Sequence, residues 1–164
     1  MRKRSSYRPK GVNPLAHVMA MMGAARLTTT DVLLRAERLR LAVDQACIGA
    51  ATVEDWRQVF DAVNMAEQLI RSKLAAGRDV VDDLQEAIVA IMDRQRGTPS
   101  RALHQAEQDA LRDFAADYAG LLSGVTQQQY MMAQRGVEDR IRRILSGERI
   151  PASMRIVEAV GAES

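Results

Sequence analysis

The stretch Thr52–Leu74, TVEDWRQVFDAVNMAEQLIRSKL, carries the most regular apolar pattern in this chain of 164 residues. Its apolar side chains recur every three to four residues, the spacing that places them on one face of an α-helix. A threonine followed by two acids opens the stretch and is typical of a helix start, because the hydroxyl can cap a free backbone N–H and acids favour the positive end of the helix dipole. The pattern predicts a helix whose inner face is formed by Trp56, Val59, Phe60, Val63, Ala66 or Glu67, Ile70 and Leu74.

Two polar residues, Asn64 and Glu67, lie on or beside this apolar face. Burying such groups without hydrogen-bond partners destabilises a fold by several kcal/mol, so we expect both to bond to another helix or to mark a groove. The interpretation we prefer is a structural polar network. The alternative is a ligand site.

Five further helices are predicted around this stretch. Threonine and asparagine caps, glycine stops and prolines at first helical positions define their ends. They cover residues 14–24, 28–48, 78–95, 99–122 and 126–145. Because no strand-like alternation occurs, the chain is predicted to be all-α, a helical bundle of about five to six helices with an extended basic N-terminal arm. The predicted organisation is a flexible arm at 1–13, a helical domain at 14–146 and a tail at 147–164.

Most charged residues on the predicted helices are expected to lie on solvent-exposed faces. Arg35 with Asp31, and Arg40 with Asp44, are four residues apart, the spacing of a stabilising ion pair along a helix. A second basic group on the last helix is interleaved with acids and is predicted to be a solvated face or a subunit rim; it consists of Arg135, Arg140, Arg142 and Arg143.

The first ten residues hold five cations and no acid, whereas the formal net charge of the whole chain is only +2. The other 154 residues therefore sum to about −3 (2 − 5), so positive charge is segregated into the arm. Lysine and arginine neutralise phosphates, and a tyrosine can stack on an unpaired base. The arm is thus the predicted nucleic-acid-binding segment, through Arg2, Lys3, Arg4, Tyr7, Arg8 and Lys10; the alternative is a solubilising disordered start.

Residues that carry catalytic or metal chemistry are sparse. The chain has one cysteine, Cys47, and two histidines, His17 and His104. His104 has Glu107 three residues on, but no second pair accompanies it, so a surface or boundary histidine is expected. No phosphate-binding loop, zinc-ligand spacing or nucleophile elbow occurs. We therefore assign no catalytic residue, metal site, cofactor or small-molecule substrate.

The N-terminal pattern Arg2-Lys-Arg-Ser-Ser-Tyr-Arg-Pro-Lys-Gly-Val12, followed by Asn13-Pro-Leu-Ala-His-Val18, resembles the start of a family of small uncharacterised proteins encoded in tailed phages and prophages. The resemblance continues through Ala51–Trp56, Ala62–Glu67 and the run from Ala102 to Met132. It implies an accessory protein that acts in the host cytoplasm and has no assigned enzymatic activity.

These observations lead to two functional hypotheses. The first is a cytoplasmic, non-enzymatic protein that binds a macromolecule, with nucleic acid engaged through the arm. The second is a protein-interaction or self-assembling bundle, a homo-oligomer among its forms, that binds or inhibits a host or phage protein; many Met and Ala residues and several aliphatic helix faces favour it. No apolar run approaches the ~20 residues needed to span a bilayer, so no membrane association is expected.

Overall fold

A computed structural model describes residues 23–72, 74–75, 77–97 and 101–147. Within these residues the protein is an all-α bundle of five helices, which confirms the predicted fold class. The helices are α1 (Thr29–Cys47), α2 (Val53–Arg71), α3 (Arg78–Gly97), α4 (Gln105–Ser123) and α5 (Gln127–Leu145). The predicted arm, most of the predicted helix at 14–24 and the predicted C-terminal tail lie outside the described residues. None of the described helices is long and apolar enough to cross a membrane.

Local signals in the sequence define most helix ends. The hydroxyls of Thr28, Thr52 and Thr126 accept backbone N–H groups at the starts of α1, α2 and α5. At the starts of α2 and α5, Asp55 and Gln129 also accept the backbone N–H of the capping threonine, which completes a capping box. These contacts confirm three predicted helix starts.

Gly49 ends the turn after α1 with a φ of 73°. A residue with a Cβ rarely adopts this left-handed conformation, so glycine is the residue suited to this position. The predicted stop after the first described helix is therefore confirmed.

The predicted start of the fifth sequence helix at Pro99 is wrong. The helix begins at Gln105, and residues 101–104 are not helical. The carboxylate of Glu107 accepts the backbone N–H of His104 at 2.7 Å and also pairs with Arg94 of α3, at 2.5 Å and 2.6 Å. This contact between helices fixes the start of α4 one to two turns later than the Thr98-Pro99 signal indicated.

The helix from the opening stretch, α2, is the centre of the bundle and packs against each of the other four helices. Its inner residues Val59, Phe60, Val63 and Leu69 are fully or almost fully buried. The rim of the predicted stripe is less buried: Trp56 is half-buried and stacks on Phe60 with ring centroids 5.8 Å apart. Helix α2 ends at Arg71, so Leu74 lies beyond it and is exposed.

The remaining core residues come from the inner faces of the outer helices. The buried apolar residues include Val32, Leu39, Val43, Ala46, Val81, Leu84, Ile88, Ile91, Leu111, Phe114, Ala115, Tyr118, Leu122, Ala133 and Val137.

The segment before α1 is joined to the turn between α4 and α5. The backbone N–H of Leu27 donates to the carbonyl of Val125 at 3.0 Å, and that of Gln127 donates to the carbonyl of Ala25 at 2.8 Å. The two segments run antiparallel at this point. The start of α1 is thereby held beside the start of α5.

Candidate interaction surfaces

The residues predicted to bind nucleic acid lie outside the described part of the chain. Arg2, Lys3, Arg4, Tyr7, Arg8 and Lys10 all precede Gly23, the first described residue. The nucleic-acid site therefore stays a prediction from sequence.

Glu67 lies in a buried polar network that joins three helices. Glu67 is only 8% exposed. Arg140 of α5, which faces the Glu67 side chain, is 5% exposed. Arg140 Nη1 donates to Glu67 Oε2 at 2.8 Å, Arg71 Nη2 donates to Glu67 Oε1 at 2.9 Å, and Gln85 Nε2 of α3 donates to Glu67 Oε2 at 3.3 Å. The carboxylate thus ties α2 to both α3 and α5.

Neighbouring residues close this network against solvent. Arg140 Nη2 also donates to the side-chain oxygen of Gln68. Asn64, one turn before Glu67, is buried as well. The cavity bordered by Glu67, Arg71 and Arg78 has a volume of only about 20 Å³, so a substrate-sized ligand has no room beside the carboxylate.

The interpretation of the α5 arginines as a solvated face is wrong for Arg140. Arg142 pairs with Asp139 on the surface at 2.9 Å, and Arg135 and Arg143 are exposed, as expected. Arg140, however, follows Val137 by three residues and Ala133 by seven, which places it on the inner face of the helix. That spacing, together with an acid on the α2 stripe, was the sequence signal for the pair.

The predicted pair between Arg35 and Asp31 is also wrong. Asp31 accepts the hydroxyl of Thr28 at 2.6 Å, whereas Arg35 crosses to α5, where its Nη1 donates to Tyr130 Oη at 2.7 Å. The guanidinium carbon lies 4.2 Å from the centroid of the Tyr130 ring. The hydroxyl and the ring face offer Arg35 a better-shielded partner than an exposed carboxylate on the same helix.

The predicted pair between Arg40 and Asp44 is confirmed at 2.8 Å. Arg40 also contacts Glu37 at 2.6 Å. The three charged side chains lie on the outer surface of α1.

The environment of Cys47 does not activate its thiol as a nucleophile. Burial raises the pKa of the Cys47 thiol, which leaves it protonated and poorly nucleophilic at neutral pH. His104 is exposed at the start of α4. The hydrogen bond from Arg94 holds the pKa of the nearby Glu107 carboxyl below its ordinary value. Across the described ranges, no three His, Cys, Asp or Glu side chains are placed to hold a metal ion.

The outer face of α1 carries a stripe of exposed aliphatic residues to which the sequence pattern assigned no role. Leu34 and Leu41 are each 50% exposed and Ile48 is 72% exposed. They are seven residues apart and therefore lie almost above one another, on the side opposite the buried residues Leu39 and Ala46. We call Leu34, Leu41 and Ile48 the α1 stripe.

Two cavities open on the described surface. One, of about 400 Å³, is mainly apolar and lies between the end of α2, the start of α3 and the second half of α4, with Ile70, Val80 and Phe114 in its wall. The other, of about 300 Å³, lies between α1, α2 and α5 and is bordered by charged and aromatic side chains.

Comparisons of the chain with protein-family models, curated proteins and solved structures find no significant match. The proposed function therefore rests on the surfaces described above.

Proposed function

We propose that this chain is a non-enzymatic accessory protein of phage or prophage type that acts in the cytoplasm by binding another protein through the α1 stripe. The phage setting rests on the resemblance of the N-terminal sequence. The binding surface rests on one observation, the exposure of Leu34, Leu41 and Ile48 at seven-residue intervals along α1 and the residue that directly follows its end. The partner surface we propose is an amphipathic helix of a different protein.

The spacing of the α1 stripe supports a helical partner. Residues seven apart form a straight seam along a helix, and a second helix with an aliphatic seam packs its side chains between them. Fully burying a leucine or isoleucine side chain contributes roughly 1.5–3 kcal/mol, so covering three half-exposed side chains is a substantial driving force. An isolated bundle does not require aliphatic residues on this outer face, because polar residues there would be equally compatible with its fold.

The charges beside the stripe are compatible with an aliphatic partner. Arg40 lies between Glu37 and Asp44 and pairs with both. Both acids on this side of the stripe are therefore paired within α1 before any partner arrives, and the three charges sum to −1 (1 − 2). A partner helix with uncharged residues at its centre would meet no unpaired charge there.

The non-enzymatic part of the proposal is supported by the surroundings of the reactive side chains. Cys47 has a raised thiol pKa, and His104 is exposed. Side-chain catalysis requires convergent groups with matched pKa values, and this pair does not provide them.

Site-specific photo-crosslinking in the producing cell tests the proposal. A benzophenone amino acid at position 41 is expected to give one major adduct, which mass spectrometry maps to an amphipathic helix of another protein. The same probe at Ala90, an exposed position on α3, is the matched control and should give no such adduct. Leu34→Glu and Ile48→Glu, added separately, should each remove the adduct because each puts a charge into the seam.

Two outcomes would overturn this proposal. The first is the absence of an adduct at position 41 above the level at position 90. The second is an adduct made only with another copy of the same chain, which would replace the foreign partner by self-assembly.

Nucleic-acid binding through the arm is the second candidate function. Its support is the charge segregation, +5 in residues 1–10 against about −3 in the rest of the chain (2 − 5). Full contact of five cations with phosphates gives a slope of log K against log salt near −4.5, by the rule of about 0.9 per phosphate. Replacing Arg2, Lys3, Arg4, Arg8 and Lys10 by Gln in the full chain should abolish binding to a short DNA or RNA at low salt, measured by fluorescence anisotropy. Unchanged affinity would exclude the arm.

A further inference from the structure

The cavity between α1, α2 and α5 exists because α1 and α5 share α2 as a neighbour, while their own backbones do not pack together and the Arg35 and Tyr130 side chains bridge them. Helices α1 and α5 both pack against α2, and the described residues show no backbone packing between α1 and α5. The resulting opening has a volume of about 300 Å³, at the lower end of the range for ligand pockets. Leu39, Ala62 and Val137 give it an apolar floor, so it suits a small ligand with an aliphatic part.

Two arginines border the cavity and have no carboxylate partner among the described residues. Arg35 is held in place by Tyr130, and its Nε is buried with no hydrogen-bond partner among the described residues. Arg38, one turn along on the same helix, forms no ion pair within the described part of the chain. Arginines elsewhere, such as Arg57 and Arg94, do pair with carboxylates. The cavity therefore keeps two guanidinium groups available for an anion.

Two carboxylates border the same cavity and form no ion pair in the part of the chain that the structure describes. Asp61 of α2 has no ion pair within the described ranges, although it is close enough to Arg57 to feel its charge. Asp61 is exposed as a residue, but partial burial of its carboxyl raises the pKa of that group, a change that Glu54 reinforces and Arg57 opposes. Glu138 of α5 accepts a hydrogen bond from the neutral amide of Gln134 at 3.0 Å. Charges of both signs thus border one opening and do not neutralise each other.

We propose that this cavity binds a small zwitterion, a free amino acid or dipeptide with an aliphatic side chain. Its carboxylate would contact Arg35 and Arg38, its ammonium group would contact Asp61, and its side chain would lie on the apolar floor. A simple anion would leave the carboxylates unpaired, and a simple cation would leave the arginines unpaired. A zwitterion satisfies both, and charge-assisted hydrogen bonds are the stronger kind. This binding site is separate from the α1 stripe, because Leu34, Leu41 and Ile48 do not border the cavity.

The probes that test the proposal are L-leucine and glycyl-L-leucine, measured by saturation-transfer NMR and calorimetry on the full chain. N-acetyl-leucine keeps only the anionic group, and leucinamide keeps only the cationic group. At least one of the two zwitterions should bind, and each single-charge analogue should bind about tenfold or more weakly because one charge-assisted contact is lost.

Matched variants separate this cavity from general surface charge. Arg38→Gln and Asp61→Asn should each weaken zwitterion binding about tenfold or more. Arg135→Gln and Asp113→Asn remove the same charges from exposed positions outside the cavity and should leave binding unchanged. All four residues are exposed, so the variants should fold, and circular dichroism checks this.

Three results would overturn the proposal. They are the absence of binding by both zwitterions at 10 mM (on the order of the weakest specific affinities), equal binding of N-acetyl-leucine or leucinamide, and binding that Arg38→Gln and Asp61→Asn do not change. The last result would place the ligand elsewhere on the protein.

Discussion

Two polar regions of this bundle contain the same kinds of side chain but differ in how the charges are arranged. Around Glu67, opposite charges meet within 3 Å and are buried together. Around the α1–α2–α5 cavity, Arg35, Arg38, Asp61 and Glu138 border a common opening without pairing. The first region satisfies its own charges and serves the fold, whereas the second leaves them available. Pairing, more than residue type, separates a structural network from a candidate ligand site.

The largest effect is expected from breaking the buried pair. Glu67→Ala leaves Arg140 buried without its carboxylate, and removal of one partner of a buried ion pair costs about 3–5 kcal/mol. Chemical denaturation of the variant and the wild type measures this difference in the free energy of unfolding.

A double variant provides the control for that prediction. Glu67→Met with Arg140→Met removes both charges and should cost less than Glu67→Ala, because no unpaired buried charge remains. If Glu67→Ala lost under 1 kcal/mol, which is about the value of an exposed pair, the description of this network as structural would be wrong.

A smaller loss is expected at the edge of the cavity. Tyr130→Phe removes the hydroxyl that accepts the Arg35 hydrogen bond but keeps the ring under the guanidinium. We expect a loss of about 1 kcal/mol in the free energy of unfolding, the usual net value of one hydrogen bond. A loss as large as that of Glu67→Ala would show that Arg35 belongs to a closed network after all.

Alanine substitutions at two glycines compare the Glu67 network with an open part of the surface. An alanine Cβ at Gly136 would lie 2.8 Å from Gln68 Nε2 and push aside the side chain that accepts from Arg140. A Cβ at Gly120 of α4 meets nothing within 4 Å. Gly120→Ala should therefore stabilise the protein by roughly 0.5 kcal/mol through helix propensity, and thermal unfolding should show no such gain for Gly136→Ala. Equal gains would mean that Gln68 adapts freely.

The smallest expected effect is a gain in the free energy of unfolding rather than a loss. Because the pKa of Asp61 is raised in the folded protein, ionisation of its carboxyl opposes folding as the pH rises above the ordinary value of 3.8. Asp61→Asn removes this opposition and should leave the protein equally stable or more stable at pH 7, within about 0.5 kcal/mol. Relative to the wild type, the variant should gain stability between acid and neutral pH. Clear destabilisation at neutral pH would reveal a cationic partner and contradict the open arrangement.

The sequence predicted the helices better than it predicted their polar contacts. Caps such as Thr52 and stops such as Gly49 act within a few residues, so their outcome is visible locally. The partners of Arg140 and Arg35 are 73 and 95 residues away in the chain. Periodicity indicates which face of a helix turns inward but not which side chain on another helix it meets.

The cavity between α1, α2 and α5 could not be predicted from the sequence for a related reason. It arises where the backbones of α1 and α5 do not pack together, and apolar spacing does not report the distance between two helices that flank a third. The α1 stripe, in contrast, was visible as three aliphatic residues seven apart. It was missed because the stronger apolar face of the same helix accounted for the core.

The hydrogen bonds that join residues 25–27 to residues 125–127 link segments about a hundred positions apart. They can form only after the intervening helices have assembled, since no local turn brings their donors and acceptors together. Deuterium uptake at the Leu27 and Gln127 amides should therefore follow the opening of the whole bundle rather than the fraying of a helix end. Exchange at these two amides therefore reports, at single residues, whether the whole bundle is folded.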